Sequence, residues 1–197
     1  GIRLAQLRLD RAQLLAQIEL ALMLLDLDLG LPLHVLHHPR PRDLPLEPSE
    51  LRRLRAFATR FGALCGELAA HQVPETVQHD DLHMANVYDR GQRLRLLDWG
   101  DASISHPFAS LVVTFRFLET RNRLPPGDPW FARLRDSYLE PWGGGLAGAF
   151  ALAIRVGTLA HTFAWARQRD YLPEAARPEF DRSFAVILRR AVARTLQ

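Results

Sequence analysis

The chain has 197 residues, enough for one domain with a full core. Its 48% apolar and 24% charged residues are those of a soluble globular protein rather than a disordered one. All 25 basic residues are arginine and the formal net charge is only +3, which excludes the lysine-bearing loop of P-loop enzymes and offers no basic run for nucleic acid.

Residues 3–29 carry apolar groups at mixed spacings of three and four, which predicts a helix, or two, ending near Gly30-Leu31-Pro32. Four prolines between Pro39 and Pro48 then demand a loop, with His37 and His38 as solvated residues beside it. In "PSELRRLRAFATRFGALCGELAAH", Ser49 reads as an N-cap, and Leu51, Leu54, Phe57, Phe61, Leu64 and Leu68 form an apolar stripe at helical period. Arg52, Arg53, Arg55 and Arg60 fall on the solvated face. Cys65, the single cysteine, reads as a small buried side chain and excludes an internal disulfide, so a reducing, cytoplasmic setting is expected. No signal-peptide pattern opens the chain.

The character changes after "HQVPET". "VYDRGQRLRLLDW" predicts two short strands joined by a turn at Asp89-Arg90-Gly91-Gln92. Helical patterns return in "FASLVVTFRFLETRNRL", "PWFARLRDSYLEPW" and "PEFDRSFAVILRRAVARTL". Residues 143–166 are apolar enough to raise a membrane span, but Arg155 and His161 inside the stretch favour a buried helix, and no membrane partner is expected. His161 and Trp165, one turn apart, read as core. The expected architecture is α+β and mainly helical, with one small hairpin near the middle.

The chemistry gathers at the base of that hairpin. Residues 78–101 hold five Asp, two His and an Asn. A hairpin centred on Gln92 sets Asn86 and Asp98 at equal distances on either side, and so directly opposite one another. An amide oxygen and a carboxylate are hard ligands of the kind Mg²⁺ takes, with water and phosphate completing its shell. Asp81 lies within a tight loop's reach of the same point, and a carboxylate free to accept a proton beside such a site suits phosphoryl transfer.

"HDDLHMAN" at 79–86 resembles the H-G-D-L-H-x-x-N catalytic loop of the aminoglycoside phosphotransferase and choline kinase-like family, relatives of the protein kinases. "LLDWGDA" at 96–102 resembles that family's metal-binding segment. The resemblance implies the C-terminal lobe of a protein-kinase-like fold. It also implies a transferase that uses ATP, or another nucleoside triphosphate, with Mg²⁺ to phosphorylate a hydroxyl of a small molecule. Asp81 would then be the catalytic base, Asn86 and Asp98 the magnesium ligands, and His79 and His83 supporting residues. Where the family has glycine this chain has Asp80, and where the family often has acids it has His106 and Ser110. Asp101 reads as a helix cap or a loop hydrogen-bonder.

No glycine-rich strand-turn-strand precedes residue 78 and no lysine is present, so residues 1–197 are expected to be a single helical lobe without the nucleotide-binding one, inactive by itself. Two other readings stand beside this one. A degenerate lobe could serve as a non-catalytic binding module. His79, Asp80, Asp81 and His83 could belong to a dinuclear hydrolase. Over residues 102–197, 13 arginines against 8 carboxylates favour a neutral or anionic acceptor over a polycation.

Overall fold

The computed structural model describes residues 45–89, 91 and 93–195. The helix expected over 3–29 and the loop with His37 and His38 lie outside the described residues. Among those described, five α-helices follow one another: α1 (Pro48–Ala70), α2 (Leu111–Thr120), α3 (Pro129–Leu139), α4 (Ala147–Ala166) and α5 (Arg177–Thr195). Four three-residue strands, β1 (Thr76–Gln78), β2 (Val87–Asp89), β3 (Leu94–Leu96) and β4 (Ser103–Ser105), lie between α1 and α2. The fold is mainly helical α+β. The expected hairpin is present, β2 paired with β3, and a second sheet, not expected from the sequence, pairs β1 antiparallel with β4. Strands of three residues separated by most of the catalytic segment leave no periodicity to read.

The chain divides into two compact units, one comprising residues up to Glu67 together with those from Thr158 onward, the other Leu68–Gly157. In the first, α1 begins one residue before the expected cap. The Leu51 amide bonds the Glu47 carbonyl at 3.1 Å, which makes Glu47 the cap, Pro48 the first helical residue and Ser49 the second. The Glu50 carboxylate reaches back to the Glu47 amide at 2.9 Å, as in a capping box. Phe57, Ala58, Phe61, Leu64 and Cys65 are buried along one face, and Arg52, Arg53, Arg55 and Arg60 are exposed. Burial pushes the Cys65 thiol up to about 12, so it is inert as a thiolate. Trp165, half-buried, packs on Phe180 with ring centroids 4.6 Å apart. Arg169 grips Asp181 with two bonds of 2.6 and 2.9 Å.

The second unit is built around Phe108, which is fully buried. Its ring meets Trp142, Phe150 and Tyr138 at centroid distances of 5.4, 5.9 and 6.2 Å. The Tyr138 hydroxyl donates to the Pro107 carbonyl at 2.8 Å, fixing α3 to the segment that enters α2. Gly157 is required by close approach: a Cβ there would lie 3.0 Å from that of Ala109 and 3.1 Å from a methyl of Val112. Continued to Tyr171, α4 is long and apolar enough to cross a membrane by length and composition. Within the second unit its Ala149, Phe150, Leu152, Ala153 and Val156 are buried in protein.

Candidate active site

The β1–β4 ladder, with Gln78 opposite Ser103, delivers the chain to residues 79–86. At Asp80 the backbone is left-handed, φ 58°. Glycine adopts that conformation without strain, and aspartate tolerates it better than most residues. The Asp80 carboxylate also accepts a hydrogen bond from the Ser103 hydroxyl on β4. The added acid therefore clamps the loop to the sheet.

His79 is buried, and both its ring nitrogens are engaged. Nε2 lies 2.7 Å from the Leu97 carbonyl and Nδ1 accepts the Asp81 amide at 3.3 Å. A carbonyl only accepts, so Nε2 carries the proton. The ring also packs against Trp99 with centroids 4.8 Å apart. One imidazole thus joins the loop of Asp81 to the segment of Asp98.

Asp81 and Asn86 meet. The Asn86 side-chain nitrogen donates to the Asp81 carbonyl at 2.9 Å and to carboxylate Oδ2 at 3.2 Å. His83 faces the same oxygen, its Nε2 3.3 Å from Oδ2. Its Nδ1 accepts the Ala85 amide at 3.2 Å as the cap of the short 3-10 turn Met84–Asn86, which leaves the proton on Nε2. The His83 ring stacks on Phe117 of α2 at 4.3 Å, and the Thr114 hydroxyl holds the Leu82 carbonyl at 2.6 Å. Two donors therefore fix Oδ2 of Asp81. Among the described residues no donor is recorded on Oδ1, nor on the side-chain oxygen of Asn86.

The hairpin itself is shifted from expectation. Val87 pairs with Leu96, Tyr88 with Arg95 and Asp89 with Leu94. The next rung is the Leu97 amide on the Asn86 carbonyl at 2.9 Å, so Asn86 lies opposite Leu97 and not Asp98. The cause is an even number of linking residues between Asp89 and Leu94, which moves the centre to between Gly91 and Gln92. Gly91, at φ 82° and with its amide on Asp89 Oδ1 at 2.7 Å, makes the turn. A one-residue slip reverses the face of a strand residue. Asp98, however, has left the strand: at φ 61° and ψ 65° it is left-handed, exposed and without a capping bond of its own.

Asp101, also exposed, ends the 3-10 turn Trp99–Asp101 and caps no helix. Ser110 and His106, standing for the acids, are engaged in other ways. The Ser110 hydroxyl donates to the Gln78 side-chain oxygen. His106 caps the turn Pro107–Ser110, its Nδ1 accepting the Phe108 amide at 3.3 Å. Its buried Nε2 has no partner among the described residues. Burial, with a smaller contribution from His71, pushes its pKa down to about 4.

Among the described residues no three His, Cys, Asp or Glu converge on a metal. With both ring nitrogens of His79 committed to the backbone, the dinuclear reading loses that ligand. The side-chain oxygens of Asn86 and Asp98 are hard donors of the kind Mg²⁺ takes.

A family model described as the phosphotransferase enzyme family matches residues 11–149. Neither the curated proteins nor the solved structures contain a match.

Proposed function

The chain belongs to the phosphotransferase enzyme family, and on that premise we propose that it moves a phosphoryl group from ATP, or another nucleoside triphosphate, to a hydroxyl of a small molecule. Asp81 is the base. The observation that carries this reading is the one-sided fixing of its carboxylate: Asn86 and His83 both hold Oδ2, which leaves Oδ1 for the acceptor. The hydroxyl proton passes to Oδ1 as the oxygen attacks the γ-phosphorus. The bond from that phosphorus to the β–γ bridging oxygen breaks, and the nucleoside diphosphate leaves.

Mg²⁺ held by Asn86 and Asp98 would neutralise charge on the phosphates. Asn86 would then have two tasks: its nitrogen orients Asp81, and its oxygen would serve as a ligand of the cation. His79 and His83 serve as positioning residues. His79, through Leu97 and the Asp81 amide, keeps base and ligand segments in register.

A panel of hydroxyl-bearing metabolites offered with ATP and Mg²⁺ to the complete protein tests the proposal. The expected result is acceptor-dependent ADP release that Asp81→Ala abolishes. Near-normal release by that variant would refute the role given to Asp81.

A further inference from the structure

Helix α2 touches the loop of Asp81 on both flanks of His83. The Thr114 hydroxyl holds the carbonyl of Leu82, the residue that leads into His83, at 2.6 Å. The Phe117 ring lies on the His83 imidazole with centroids 4.3 Å apart and planes 15° from parallel. Three apart, Thr114 and Phe117 share one side of the helix. The helix itself is anchored elsewhere: Leu111, Val112 and Val113 are buried, and Phe115 meets Phe131 and Phe150 at centroid distances of 5.3 and 5.9 Å. Phe117 stands outside that cluster. It is half-buried, and among the described residues the one ring contact recorded for it is His83.

The terminal torsion of a histidine side chain is broad on its own, so neighbours must set the ring. A stacked ring fixes the plane of an imidazole but not the edge it presents, because a half-turn leaves the stack intact. The Ala85 amide settles the edge. It occupies Nδ1, which puts the proton on Nε2, 3.3 Å from Oδ2 of Asp81. That distance is already long for a hydrogen bond, and a modest rotation of the ring would open it.

We propose that Phe117 is a positioning residue for phosphoryl transfer: by holding the plane of His83 it keeps Oδ2 of Asp81 occupied and Oδ1 turned to the acceptor. The inference rests on the reading of Asp81 as the base.

The test joins the nitrogen NMR spectrum of the histidine side chains of the complete protein with release of labelled phosphate from ATP and Mg²⁺, water serving as acceptor. Both are measured on Phe117→Leu, Phe117→Met and Phe117→Tyr, and on Phe117→Leu in a His83→Gln background. The signal that His83→Gln removes assigns His83. In the wild-type protein this ring reads as one tautomer, protonated at Nε2. Phe117→Leu and Phe117→Met mix the tautomers and slow phosphate release about tenfold or more, with the KM for Mg–ATP unchanged. Phe117→Tyr, which keeps the stacked ring, retains both. With His83→Gln already in place, Phe117→Leu costs less than about twofold, because the residue it acts through is gone. Mixed tautomers in the wild-type protein, or a single tautomer that persists in Phe117→Leu and Phe117→Met, overturn the inference. So does an undiminished rate loss from Phe117→Leu in the His83→Gln background, the mark of packing alone. Failure of the base assignment reads differently: hydrolysis at the wild-type rate by Asp81→Asn would remove the base and leave the dependence of the tautomer on Phe117 as measured.

Discussion

His79 donates a 2.7 Å hydrogen bond to the carbonyl of Leu97, 18 residues further along the chain, while its other nitrogen holds the amide of Asp81. Replacing it by phenylalanine keeps a ring against Trp99 and deletes both bonds. Leaving the two backbone groups unpaired costs about 1–3 kcal/mol in urea melts. The expected kinetic signature is a raised KM for the Mg–nucleotide, because the segment of Asp98 is no longer tied to the loop.

Asn86→Asp changes few atoms and is expected to be damaging. The donor facing Oδ2 of Asp81 at 3.2 Å becomes a second carboxylate. At neutral pH the repulsion destabilises the loop by about 1–3 kcal/mol. Part of this returns as acid protonates one of the pair, so the deficit relative to the wild-type protein narrows as pH falls. Urea midpoints at two pH values check it.

Asp80 combines a strained backbone with a useful side chain. Asp80→Ala keeps the left-handed strain at φ 58° and loses the bond to Ser103. Asp80→Gly loses the bond but relieves the strain. The glycine variant is expected to be more stable than the alanine one by about 1 kcal/mol or more.

His106 sets an acid limb on stability. Its folded pKa, about 4, lies below the ordinary 6.5, so the unfolded chain binds this proton first. The contribution is complete above pH 6.5 and is lost as pH falls from 6.5 toward 4. His106→Asn supplies a cap that does not titrate. Its stability should vary less with pH across that window, and a His71→Asn control isolates the neighbouring charge.

Much of this was legible in the sequence because it is local. The stripe of α1, the helices after residue 108 and the spacing from Asp81 to Asn86 depend on period and short loops, and the structure has each. What failed depended on counting or on distance. The Asn86–Asp98 opposition assumed an odd hairpin centre, and one residue moved Asn86 to Leu97. The β1–β4 sheet and the Gln78–Ser110 and Thr114–Leu82 bonds join residues some thirty apart, for which no spacing rule exists. Asp80 did carry a signal: an acid where glycine is usual marks a left-handed position. Its partner Ser103 carried none.

The central claim is that Asp81, held through one oxygen, takes the acceptor proton. Single-turnover transfer of labelled γ-phosphate, with ATP and acceptor saturating, measures it directly in Asp81→Asn, which retains the shape of the side chain. A general base contributes about 10²–10⁴-fold, so the rate should fall by that factor with the thermal midpoint nearly unchanged. A transfer rate within a few-fold of the wild-type protein would contradict the claim.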